Sequence, residues 1–178
     1  LFILGKVNYK TGKLKSSNNY FNQALKISQQ EKHPGKKADI YNNLGLNEKK
    51  ANEYSSAIEY HHKALDIFNT QNNPMGQANS LNYIGSIYWQ KGVYDSARNY
   101  YRRSLQIKRT IGDTLGIIHT LNNLALVYKN MGEHNTALEL HHKAFQFLET
   151  GGRPLQKANT LNYIGNIHLK INQFDTAM

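Results

Sequence analysis

PMGQANSLNYIGSIYWQKGVYDSARNYYRRSLQIKRTIGD, residues 74–113, carries the pattern that decides the fold. Ala78, Leu81, Ile84, Gly85, Ile87 and Tyr88 recur at helical spacing on one side, while Asn79, Asn82, Ser86, Trp89 and Gln90 fall on the other. This predicts an amphipathic helix over about 75–91, a turn at Gly92, and a second helix over about 94–111. Asn73 before Pro74 supplies a side-chain oxygen for the free N–H groups of the first turn, and proline suits that turn because its missing N–H is not needed there.

Outward from this stretch the same signals return every forty residues. Leu4-Gly5, Leu44-Gly45, Ile84-Gly85, Leu124-Ala125 and Ile164-Gly165 keep the step without a slip. Pro34, Pro74 and Pro154 share a column in which Thr114, preceded by the N-cap Asp113, replaces the fourth proline. Gly12, Gly92 and Gly132 share another with Asn52 and Asn172, residues that tolerate the left-handed conformation ending a helix. Small residues recur where two helices would touch: Ser17, Ala57, Ala97, Ala137 and Ala177, then Ala24, Ala64, Ser104 and Ala144. A longer rhythm of eighty overlies this, since ANSLNYIG from Ala78 returns as ANTLNYIG from Ala158, and His61-His62-Lys63-Ala64 as His141-His142-Lys143-Ala144. Duplication of a two-unit block is the simplest account.

The chain has 178 residues, a mean hydropathy of −0.65 and no cysteine, which removes disulfides, thiolate catalysis and thiolate metal sites. No apolar run approaches the ~18 residues needed to cross a bilayer, so no membrane span is expected in this segment, and a cytoplasmic location is the expectation. The formal charge of +10 would attract acidic peptides or nucleic acid, but the basic residues are spread in short clusters such as Lys36-Lys37, Lys49-Lys50 and Arg102-Arg103, which reads as a solvated basic surface. No phosphate loop, metal-ligand motif or nucleophile elbow is present, so neither catalysis nor a cofactor is expected. Adjacent histidines on a helix diverge by about a hundred degrees, so His61-His62 and His141-His142 are not metal pairs, and His61 and His141 in the column of Tyr101 read as packing residues.

The columns Ile84, Gly85, Tyr88, Gly92, Tyr94, Ala97, Tyr101 and Ser104 resemble the tetratricopeptide repeat, and the resemblance covers the whole chain. The forty-residue unit, with Gly112-Asp113 at its end and Leu121 to Leu124 following, is similar to a subfamily that includes polarity adaptors and bacterial peptide-sensing and signalling regulators. The resemblance implies an all-α, right-handed superhelical solenoid with units at about 1–33, 34–73, 74–113, 114–153 and 154–178. Glu48 where Tyr88 and Tyr128 stand is a departure that predicts looser packing in the second unit.

In such arrays the first helices line a concave groove. Here that face carries a ladder of Asn42, Asn82, Asn122 and Asn162, with Asp39, Asn79, His119 and Asn159 one turn earlier. Their neighbours are Ser86, Leu126 and Asn166, the alternating Asn43, Tyr83, Asn123 and Tyr163, and a rim that includes Lys49, Trp89, Lys129 and Lys170. Each amide offers donors and an acceptor, so a row of them can hold the backbone of an extended peptide. The competing reading has the amides bond between units and fix their register. Trp89 is open to two readings as well, a partner anchor or a residue leaning on its neighbours.

The function expected is a protein-interaction scaffold binding a peptide segment, with the input region of a larger signalling protein as the alternative. An RNA-binding repeat is less favoured. Leu1 falls inside a first helix and Met178 early in a second, so both end units are expected to be incomplete and the chain an excerpt. Apolar surface at Leu161, Ile164, Ile167 and Ile171 is then expected either to drive self-association or to require further chain for solubility.

Overall fold

A computed structural model describes residues 1–30, 34–149 and 154–175. Its described elements are all α-helices: α1 (Phe2–Lys10), α2 (Leu14–Gln30), α3 (Pro34–Lys50), α4 (Tyr54–Thr70), α5 (Pro74–Gln90), α6 (Tyr94–Thr110), α7 (Thr114–Asn130), α8 (His134–Glu149) and α9 (Pro154–Asp175). The prolines and Thr114 open helices as their column requires. The predicted caps form, with Gly76 N donating to Asn73 Oδ1 at 3.0 Å and Gly116 N to Asp113 Oδ1 at 2.9 Å.

Gly12, Asn52, Gly92 and Gly132 all have φ between 65° and 83°, and the residue after each donates back five positions, as Val93 N does to Tyr88 O at 2.9 Å. The second helix then returns against the first through its small residue. Ser17, Ala57, Ala97 and Ala137 are fully buried, whereas Ala177 lies outside the described residues.

Asn172 breaks the pattern. The turn expected there does not form, and α9 continues through it to Asp175, making 22 residues against 17 in α5. Asparagine permits the left-handed turn without requiring it, and among the described residues no second helix packs back on α9 to reward the reversal. Continued helix satisfies the backbone instead.

The chain divides into two compact units, Leu1–Ile87 and Tyr88–Met178, whose boundary falls inside α5. In the first, Phe21, Ile40 and Leu44 form one buried cluster and Ala38, Ala64 and Phe68 another. The looser packing expected from Glu48 does not follow, because Asn18 Nδ2 donates to Glu48 Oε1 at 2.9 Å while Ala57, Ala64 and Leu44 stay buried. In the second unit the core joins Ala97, Tyr101, Leu121, Leu124, Val127, Leu148 and Ile167. Ile164 and Ile167, expected to be exposed, are buried, and Ile167 joins this core. Leu161 remains 52% exposed and Leu169 63%, while the side chain of Ile171 lies outside the described residues. No described helix is long and apolar enough to cross a membrane.

Candidate functional site

First helices meet their neighbours through a polar knot that occurs twice, eighty residues apart. In the first unit Asn42 of α3 accepts at Oδ1 from His61 Nδ1 of α4 at 2.8 Å and donates from Nδ2 to Ser80 Oγ of α5 at 3.0 Å. Ser80 Oγ also reaches Gly76 O at 3.0 Å. In the second unit Asn122 of α7 accepts from His141 Nδ1 of α8 at 2.8 Å and donates to Thr160 Oγ1 of α9 at 3.3 Å. A tyrosine lies against each imidazole, Tyr83 and Tyr163, with ring centroids 5.1 Å apart in both cases.

An amide oxygen can only accept, so each histidine carries its proton on Nδ1 and leaves Nε2 as a bare lone pair. Both Nε2 atoms are buried without a partner among the described residues. The α3 backbone runs close to the first ring: a Cβ placed on Gly45 would stand 2.7 Å from His61 Nε2. Burial pushes the His61 imidazole down to about 3, and burial likewise pushes His141 down to about 4. The charges of Lys49 and His62 act on the first in the same direction, and those of Lys129 and His142 on the second. Both rings are therefore neutral at physiological pH. Among the described residues no three His, Asp or Glu side chains gather as a metal site.

The knots correct one part of the asparagine ladder. Asn42 is 6% exposed and both ends of its amide are bonded, to His61 and to Ser80. Asn122 is bonded in the same way while half-buried, keeping one side at the surface. The Asn42 amide turns toward Ser80 of the next first helix, whereas Asn43 beside it is half-buried.

In the first unit Asp39 is exposed and Asn79, Asn82, Tyr83 and Ser86 are half-buried. Ser86 Oγ accepts from Lys49 Nζ at 2.9 Å and donates to Tyr83 O at 2.7 Å, so Lys49, a rim residue by sequence, is tied into the face. Burial lowers the Lys49 ammonium from its ordinary value and raises the carboxyl of Asp39, an effect the charge of Lys6 partly opposes.

In the second unit His119, Asn122, Asn123 and Leu126 of α7 converge with Asn159 and Tyr163 of α9 around a depression of about 140 Å3. Ile118 completes its lining, a residue the polar-face reading had no reason to include. Lys129 is half-buried, and Asn162 and Asn166 are exposed beyond the depression, with Asn166 Nδ2 3.4 Å from Asn162 Oδ1. Trp89 packs on the second unit's core, and its indole N–H is buried without a partner among the described residues, which favours the leaning role over a partner anchor.

A sequence model described as "Tetratricopeptide repeat" matches the chain four times, over residues 1–70, 36–110, 76–150 and 116–178. The chain belongs to the tetratricopeptide repeat family. Its architecture is thus an all-α repeat solenoid of that family. Among solved structures it is similar to BtubC from P. vanneervenii, at 24% identity and a TM-score of 0.75 over 83% of this chain and 61% of that one. It is similar to aspartyl phosphate phosphatase F from Bacillus subtilis, at 18% identity and a TM-score of 0.87 over 97% and 47%. A Rap protein complexed with competence and sporulation factor gives 14% identity and a TM-score of 0.81 over 99% and 49%. The chain thus spans less than two thirds of each of these structures. No curated protein sequence matches it.

Proposed function

We propose that this chain is a non-catalytic protein-interaction scaffold whose first-helix face binds an extended segment of another protein. The observation that carries the reading is the depression between α7 and α9, where Asn123 and Asn159 stand beside Tyr163, Leu126 and His119. Amide groups there can bond a peptide backbone whatever its side chains, and Leu126 and Tyr163 give an apolar floor for one of them. In the first unit Tyr83, Ser86 and Asn79 form the corresponding surface, with Lys49 as its cation. The ladder that serves binding is the column of Asn123 and Tyr163, with Asn79, Asn159 and Asn166 beside it, while Asn42 serves the stack. A neighbour of similar fold, the Rap protein solved in complex with competence and sporulation factor, is consistent with this reading. A peptide array screened against the chain, followed by anisotropy titrations of the tightest peptide against Asn123→Ala and Tyr163→Ala, tests it. A loss of tenfold or more in affinity is expected for each, and unchanged affinity in both variants refutes the assignment.

A further inference from the structure

A second cleft lies between α6 and α8, away from the depression of α7 and α9. It encloses about 570 Å3, a size in the range of small-ligand and peptide side-chain pockets. Its floor is Leu105, Leu124, Leu140 and Tyr128, and its rim carries Arg102, Arg109 and Lys143 against Glu139. The opening has a cause in the sequence. Tyr20, Tyr60 and Tyr100 share a column in which the fourth member is Leu140. Tyr100 stacks on Tyr88 with ring centroids 5.4 Å apart and planes 9° from parallel. Leu140 stands in the same register to Tyr128 and brings no ring, so the volume of an aromatic side chain is missing above the floor.

The charge of the cleft is equally local. The matching positions on the first unit's lattice are Asn22, Gln29 and Lys63 with Glu59, and Glu48 stands where Tyr128 does, so two acids offset a single cation there. At the α6–α8 cleft three cations face one acid. Arg102 and Arg109 are exposed, and the Arg102 guanidinium is set by donating to Tyr128 Oη at 2.5 Å.

The geometry points to a docking site for a short acidic protein segment bearing one aromatic side chain, distinct from the face that holds the extended peptide. Its ring fills the volume left by Leu140 and packs on the apolar floor of Leu105, Leu124 and Leu140. Its flanking carboxylates take the two guanidinium forks, whose planar geometry matches a carboxylate. A nucleic acid fits less well, because base stacking needs an open aromatic platform and the one ring lining this cleft is only 6% exposed above a floor of leucines.

The test is anisotropy of a dye-labelled Glu-Asp-Phe-Glu-Asp peptide titrated with the full chain. The comparisons are its amide counterpart Gln-Asn-Phe-Gln-Asn and a labelled oligouridylate of equal charge. Leu140→Tyr restores the side chain that its column carries elsewhere, and its helicity by circular dichroism checks folding. The acidic peptide is expected to bind saturably, with affinity falling at least tenfold for the amide peptide, for Leu140→Tyr and for Arg109→Gln. Saturable binding that neither substitution weakens, an oligouridylate that binds more tightly than the peptide, or no saturation up to about 1 mM would overturn the proposal.

Discussion

Lowering the pH from 8 to 5 acts on the two polar knots before it acts on most carboxylates. His61 and His141 are fully buried, and their folded-state values of about 3 and about 4 lie well below the ordinary 6.5. A base held neutral in the fold but free to protonate when unfolded contributes stability that is complete above about 6.5. That stability is lost as pH falls toward the folded value, because the unfolded chain takes up a proton the folded chain refuses. Between pH 8 and 5 the difference is about 1.5 pKa units for each ring, or about 2 kcal/mol each and about 4 kcal/mol for the array.

With a urea m-value of about 2 kcal/mol per molar, the unfolding midpoint followed by circular dichroism should fall by about 2 M. Asp39, whose carboxyl is raised chiefly by burial, works in the opposite direction and further into acid. Replacing both rings in His61→Gln/His141→Gln removes the titration, so the variant starts less stable at pH 8 and loses little more by pH 5. An equal fall in midpoint for the variant and the parent chain would refute the assignment of acid sensitivity to these knots.

Asn42→Ala and Asn122→Ala each strip a buried imidazole of its partner and should cost about 1–3 kcal/mol in urea unfolding, with the larger loss at Asn42, the more buried of the two. Gly92→Ala meets open space but must hold φ at 74°; a loss of about 1 kcal/mol should appear as a lower thermal midpoint with unchanged helicity. Leu161→Lys/Leu169→Lys removes two exposed leucines of α9, and any concentration-dependent rise in mass seen by light scattering in the parent chain should vanish in the variant.

The sequence made the helix boundaries plain wherever two independent signals agreed. Pro74 with Asn73, and Gly92 with the returning Ala97, gave α5 and α6 to within a residue. At Asn172 the turn residue merely permits the left-handed conformation, and α9 runs on through it. The candidate face was harder to read because a forty-residue lattice identifies columns without saying which member of a column is drawn into a contact. Asn42 and Asn43 both repeat, and the difference between them is set by contacts with His61 and Ser80, thirty-eight residues or fewer away in sequence but on two other helices. A sequence signal for this existed in the rhythm of eighty: asparagine coincides with His61 and Ser80 in one block and with His141 and Thr160 in the other, whereas Asn82 coincides with Tyr101. The α6–α8 cleft had its own signal in the leucine that interrupts the tyrosine column, whose meaning depends on which ring the tyrosine would have met.

The central claim is that the first-helix face is the peptide-binding surface, and amide chemical-shift mapping of the chain with the tightest array peptide tests it most directly. The account predicts the largest shifts at His119, Asn123, Leu126, Asn159 and Tyr163, moving together along one saturation curve. Shifts confined to α6 and α8 around Arg102 and Arg109, with α7 and α9 unmoved, would contradict it.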